Sequence, residues 1–152
     1  MSKNKDALKF FQAYIKEMID VGGENLPKSI SASLGAKLGK LLKQRGIFGL
    51  ENTLNRIYNV LNAKTQIKSI DDNILEITLH YRSRFCPLGG KYNPDRAELI
   101  QNIICIPYTL AILNTSHPQY KYNAKIIECI LDSTHKNCKY RLEKKLKSST
   151  NN

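Results

Sequence analysis

The chain has no CxxC pair, no GxGxxG, no Walker-type glycine loop and no apolar run approaching the roughly 20 residues that cross a bilayer. Without the glycine loops, a self-contained dinucleotide- or nucleotide-dependent enzyme is not legible. Without CxxC, the spacings of zinc fingers and iron–sulfur sites are unmatched. No signal-peptide h-region is seen either, because the N-terminal stretch MSKNKDALKFFQAYIKEMID carries acidic residues inside its apolar pattern. The expectation is a soluble, cytoplasmic protein with no membrane span. No Ser/His/Asp or paired-carboxylate arrangement can be argued, and His80, His117 and His135 fall on a strand's outer face and in two loops, where they read as surface residues.

Acidic residues are scarce, 13 against 24 basic ones, for a net charge of +11. The excess is confined to the flanks. Residues 1–64 hold 11 basic and 5 acidic side chains, residues 65–135 hold 7 of each, and residues 136–152 hold 6 and 1. Basic flanks suit nucleic acid or an anionic surface, but they serve equally as a solubilising coat, so a nucleic-acid role is an alternative and not the favoured reading.

What is present is 152 residues, 41% of them hydrophobic, enough for one domain with a proper core and too few for two. Residues 6–20 have a helical stripe of Leu8, Phe11, Ile15, Met18 and Ile19, ended by Gly22-Gly23. A second helix follows Pro27 to about Arg45, with Ile30, Leu34, Leu38, Leu41 and Leu42 on one side and the small residues Ala32, Gly35, Ala36 and Gly39 on another. Two glycines inside a helix cost up to about 1 kcal/mol each and need a reason: close packing within the chain, a homodimer interface or a ligand cavity wall. Residues 50–63 read as a third helix.

The period then changes. Residues 65–70 and 73–81 read as a hairpin with Leu75, Ile77 and Leu79 inward, and Asn93-Pro94 opens a helix reaching Cys105, with Pro107 expected to break or kink it. Two strands, about 122–131 and 136–145, close the chain. The order predicts an α+β fold: three N-terminal helices, then a four-stranded antiparallel sheet of two hairpins with helices packed on one face. The domain is expected over residues 1–147, helical to residue 63 and hairpin–helix–hairpin from 64, with residues 148–152 a disordered tail.

All four cysteines lie between Cys86 and Cys138, separated by 18, 23 and 8 residues. If the last hairpin has the four-residue loop Asp132 to His135, Leu131 faces Lys136, Ile130 faces Asn137, Cys129 faces Cys138, and Glu128 faces Lys139 on the other side. Ile127, Leu131, Tyr140 and Leu142 then share the buried face with the cysteines. Opposed residues have Cβ atoms about 4.5–5.5 Å apart, a separation compatible with two thiolates on one zinc or with a disulfide after adjustment. With Cys86 and Cys105 flanking the helix that packs there, three readings stand: a structural zinc on Cys86, Cys105, Cys129 and Cys138, a redox switch at Cys129/Cys138, or buried thiols acting as small hydrophobes. Phe85, Leu88, Tyr92, Ile104 and Tyr108 neighbour the cysteines and are candidate pocket residues.

The stretch CPLGGKYNPDRAELIQNIICIPYTLAIL, followed by AKIIECILDSTHKNCKYRLE, resembles the 4-vinyl-reductase-type domain over roughly residues 28–145. That family is a small-molecule-binding module, similar in fold to subunits of vesicle-tethering complexes. The resemblance implies a sensor for small, mostly hydrophobic ligands, with zinc beside the pocket held by Cys129, Cys138 and Cys105. The family's fourth ligand is a glutamate shortly before the first hairpin cysteine. Here Ile126 stands three residues before Cys129, and Cys86 is the substitute. Other relatives are redox-responsive regulators, in line with the switch reading. The family name also suggests vinyl reduction, which in a chain with no cofactor motif would require a partner subunit. A sensor with no recognisable output segment in these residues needs a regulatory partner to signal through.

Overall fold

A computed structural model describes residues 2–148, without the side chains of residues 2–5 and of Leu8; of the tail expected to be disordered, residues 149–152 lie outside the described residues. Three helices lead: α1 (Ser2–Gly22), α2 (Asn25–Gln44) and α3 (Leu50–Asn59). Strands β1 (Lys64–Ser69) and β2 (Ile74–His80) follow, then α4 (Pro94–Ile100), a π-helical segment (Gln101–Cys105) and α5 (Ile106–Ser116), and last β3 (Tyr120–Glu128) and β4 (Asn137–Leu146). The expected α+β plan is what forms. The four strands make one antiparallel sheet in the order β1-β2-β4-β3, so the two hairpins join through β2 and β4.

The pleat decides which side is buried. Ile77 pairs with Ile67 and Tyr140, Leu79 with Cys138, and Ile126 with Tyr140, placing these side chains on the face covered by helices. The opposite face carries polar pairings: His80 hydrogen-bonds Asn137 and Gln66, at 2.9 and 3.1 Å, and Lys139 approaches Glu76 at 3.8 Å.

Two departures from the sequence reading have clear causes. Pro107 does not break the helix. A proline ring collides with the carbonyl four residues back, and the wide turn immediately before it relieves that collision: the Ile106 N–H bonds to the Gln101 carbonyl, five residues back. Helix therefore continues without interruption from Pro94 to Ser116, 23 residues that by length and composition would suffice to span a bilayer; here it packs against α2.

The second departure is in the last hairpin. Ile126 pairs with Tyr140 and Glu128 with Lys139, leaving Ile127 in a bulge and exposed instead of inward. Beyond Glu128 the strand ends. Ile130 and Leu131 turn into the core, fully buried, instead of facing Asn137 and Lys136, and a turn joins Asp132 N–H to the Cys129 carbonyl at 3.1 Å. Asn93 sits at the start of α4 without a side-chain capping bond; its backbone N–H goes to the Leu131 carbonyl at 2.8 Å, pinning that turn.

The small-residue stripe of α2 packs within the chain. A Cβ on Gly35 would lie 2.5 Å from the Tyr108 carbonyl oxygen and 3.0 Å from Ala111 Cβ, and one on Gly39 would lie 2.7 Å from the Ile112 oxygen. Helices α2 and α5 thus cross backbone to backbone, and the stripe gives no support to a homodimer. This crossing makes a sharp prediction. In an exposed helix Gly→Ala stabilises by up to about 1 kcal/mol, but here the crowding should reverse the sign, giving a net loss of about 1–2 kcal/mol for Gly35→Ala or Gly39→Ala. Urea titration checks it; a gain in stability would mean the helices are not held this close.

Candidate functional site

Apolar side chains gather in two clusters. One centres on Leu42, Leu54, Ile57, Ile77, Ile112 and Leu142, the other on Ile15, Ile100, Ile103, Ile130 and Leu131. Tyr81, Ile126 and Cys138 pack against both. Between the clusters lies a cavity of about 700 Å³, within the usual size for small-molecule sites. One face of α2 runs along it, Ser31, Leu34, Leu38, Leu42 and Arg45, at the three- and four-residue steps that share a helix side. The π segment supplies Gln101, Ile104 and Cys105, and the sheet supplies Leu79, Ala124, Ile126 and Tyr140. Leu34 is 53% exposed because the space it borders is open.

A small polar network interrupts this wall. The Tyr58 and Tyr140 hydroxyls lie 2.7 Å apart, and the Tyr58 hydroxyl is 3.2 Å from Thr109 Oγ1. Burial pushes Tyr58 up to about 12 and Tyr140 well above its ordinary value, so both are neutral hydrogen-bonding groups in a dry setting. Burial raises Tyr81 as well.

All four cysteines line the same cavity. Cys86 opens a tight turn in which its N–H and carbonyl bond with those of Gly90, at 2.8 and 2.9 Å, while its sulfur accepts the Gly89 N–H at 3.2 Å. Gly90 adopts φ +89°, a conformation that favours glycine, and Gly89 lies flat against Leu131, where a Cβ would meet Cδ1 at 2.5 Å. Cys129 and Cys138 hydrogen-bond each other through their thiols although Cys129 has left the strand, and the Ile130 N–H points at the Cys138 sulfur from 3.3 Å. The two sulfurs share a proton unequally. The hydrogen bond from Cys138, aided by Gln101 and the Leu131 N–H, pulls Cys129 down to about 6, whereas that same bond, together with burial, raises Cys138. Burial raises Cys86 and Cys105.

The donors suit a soft cation, and N–H groups aimed at sulfur favour thiolates, but the geometry is that of a pair with two neighbours. Among the described residues, no three His, Cys, Asp or Glu side chains converge as a metal shell. A four-sulfur site would need Cys86 and Cys105 to close onto Cys129 and Cys138.

Of the candidate pocket residues, Leu88, Ile104 and Tyr108 line the cavity, while Phe85 and Tyr92 are not in its wall. Tyr92 follows the Gly90 turn, which sends it outward under the Arg84 guanidinium, 5.6 Å from the ring centre. Glu128, although on the cavity's rim, is engaged by the hairpin loop: Ser133 Oγ donates to it at 2.6 Å and His135 Nδ1 lies at 2.6 Å, and these bonds hold its carboxyl below the ordinary value. Arg45, Arg56, Tyr58, Tyr81, Thr109 and Tyr140 were not candidates from the sequence. The helical step that carries the α2 leucines onward to Arg45 was the available signal; Tyr58 and Tyr140 read simply as members of apolar faces.

No family model matches the sequence, nor does any curated protein at a significant level. The 4-vinyl-reductase resemblance therefore rests on the residues quoted above. Solved structures do match: the chain is similar to a trafficking protein particle complex subunit 3 from Naegleria fowleri, in a crystal structure described as covalently bound to palmitic acid, with a TM-score of 0.63 and 12% identity over 96% of this chain and 98% of that one. At that identity the likeness establishes the fold, the one shared with vesicle-tethering subunits.

Proposed function

We propose that this chain is a binding or sensing domain for a hydrophobic small molecule, acting in regulation and held in the cavity between its two apolar clusters. The cavity itself carries the reading: about 700 Å³ lined mainly by leucine, isoleucine and tyrosine, with one buried hydroxyl network in its wall. The similar trafficking subunit is described with palmitic acid, which supports a long apolar ligand for this fold. It is also a subunit of a complex, which supports a protein partner, a second copy or another chain, to which occupancy is relayed.

Palmitate is the first probe. At 100 times its dissociation constant a ligand stabilises by about 2.7 kcal/mol, so the melting temperature should rise by roughly 5–10 °C. Leu38→Trp, which puts a bulky ring in the middle of the α2 wall, should reduce that rise. If neither palmitate nor aromatic ligands shift the melting temperature, and mass spectrometry finds no copurifying molecule, the proposal fails.

A second reading rests on the Cys129–Cys138 contact. These thiols are a redox switch, or with Cys86 and Cys105 they hold a structural zinc that staples the hairpin to the helix. With its pKa near 6, Cys129 is mostly thiolate at pH 7, where an ordinary thiol of pKa about 8.5 is a few per cent ionised. Iodoacetamide should therefore label Cys129 with a rate that rises through pH 6 in wild type and only above about pH 8 in Cys138→Ala. Equal profiles in the two proteins would sink the shared-proton pair. Metal analysis then separates the two forms: about one zinc per chain favours the staple, and metal-free protein that loses two thiols to mild oxidant favours the switch.

A further inference from the structure

The two ends of the cavity differ in chemistry. From Ser31 to Arg45 the lining face of α2 spans about 21 Å at about 1.5 Å per residue. Gly35 lies against Tyr108 and Gly39 against Ile112, so α2 and α5 run in the same direction and Cys105, three residues before Tyr108, is level with the first part of α2. Cys86 belongs to the turn whose Gly90 abuts Gln12 of α1. Cys105 and Cys86 thus lie toward the N-terminal part of α2. At the other end stand Arg45, at the C-cap of α2, and Arg56 and Asn59 of α3.

Neither arginine makes an ion pair among the described residues. Both are solvent-accessible, and Arg56 and Asn59 also line a second recess of about 440 Å³ with Asn52, Asn55, Lys64 and Thr65. Thr65 Oγ1 is buried there with no hydrogen-bond partner. Among the described residues, Glu128 is the one acidic residue lining either space, and it is already bonded to Ser133 and His135. Guanidinium forks beside amides and an unpartnered hydroxyl form a surface for an anion with several acceptor oxygens. From Arg45 to Leu34 the lining face runs about 16 Å at about 1.5 Å per residue, close to the roughly 15 Å of one bilayer leaflet, half the hydrocarbon core, which is the reach of a lipid chain.

Resting on the hydrophobic-ligand reading above, we propose that the ligand is a single-chain amphiphile with an anionic head: Arg45 and Arg56 receive the head, and the chain runs along Leu42, Leu38 and Leu34 toward the thiols. A carboxylate and a phosphate share the required chemistry, and the second recess has room for the larger of the two. In this orientation the head meets the arginines, so the chain is held by an ion pair and apolar burial without a thioester.

Isothermal titration with palmitate, hexadecyl phosphate and hexadecanol tests this. At moderate salt an anionic ligand should bind about tenfold tighter than the alcohol, a modest factor because solvent screens the mouth, and high salt should shrink the difference. The larger advantage for palmitate or for the phosphate identifies the head. In Arg45→Gln/Arg56→Gln the anionic ligands should bind no tighter than hexadecanol, while Lys37→Gln, an exposed α2 position outside the cavity, should keep the preference. Ligand-free melting temperatures verify folding. Equal binding of acid and alcohol by wild type, or a preference that survives the double substitution, overturns the head-group site and leaves the hydrophobic pocket standing. Failure of all three ligands to bind overturns the single-chain amphiphile, and the pocket reading falls with it only if aromatic ligands and copurification also give nothing.

Discussion

The backbone-to-backbone crossing of α2 and α5 is the constraint on which the rest depends. At Gly35 and Gly39 nothing but hydrogen separates one helix from the carbonyls of the other, so the two axes are fixed at a distance no larger residue would allow. Leu34 and Leu38 lie to one side of that crossing, while Leu42 packs with Ile112 and Leu113 in the first cluster. Leu42 is fully packed in the first cluster, but Leu38 and Leu34 are progressively less covered, and the space they border is the cavity. An interior is ordinarily close-packed, and an apolar void forfeits dispersion contacts along its whole wall. The proposed ligand would restore those contacts along the wall.

The π segment belongs to the same constraint. It takes up the extra residue needed to carry helix past Pro107, and in doing so presents Gln101, Ile104 and Cys105 to the cavity together. Such widened turns concentrate at functional positions because they alter the helical phase where a particular side chain has to point. Here the turn separates a stretch facing the thiol cluster, Ile100 to Ile104, from one facing the first core, Thr109 to Leu113. A regular helix would carry one apolar stripe, and this one has to serve two clusters.

Much of this plan was legible in the residues. Alternation in Leu75, Ile77 and Leu79 and the turn residues between periodic segments gave the strand order its two hairpins, and the two mid-helix glycines announced a close crossing before its partner was known. Glu128 does pair with Lys139, but the four-residue loop from which that pairing was read does not form, because the strand ends at Glu128 and resumes at Asn137. What was not legible is where tertiary packing overrode local pattern. Ile130 and Leu131 were assigned to a strand by hydrophobicity, yet they bury more completely by folding into the second cluster beneath Gly89, and the bulge at Ile127 is the local cost of bringing them there. Pro107 looked like a terminator because the π turn that tolerates it has no signature of its own. Arg45 and Arg56 looked like ordinary surface charges, since their significance lies in a shared mouth formed by two different helices. Cys129 and Cys138 were paired for a partly wrong reason: the strand register that opposed them ends one residue early, and the turn brings the thiols together anyway.

The thiol end and the arginine end are joined by one wall, and that has a thermodynamic consequence. Gln101 contributes to the hydrogen bonding that lowers the Cys129 pKa and also lines the cavity, and Cys138 packs against both clusters. A molecule lying along α2 would exclude water from the side of the pair that now faces open space, and desolvation works against a thiolate. Occupancy and ionisation of Cys129 would then oppose each other, and linkage requires the effect to be reciprocal: whatever factor a ligand imposes on the proton affinity of the pair, the state of the pair imposes on the ligand. Oxidising the pair or binding it to a metal would alter that factor by removing the shared proton. If both proposals hold, a pocket for an apolar molecule and a reactive dithiol would be two parts of one coupled equilibrium and not competing uses of the fold.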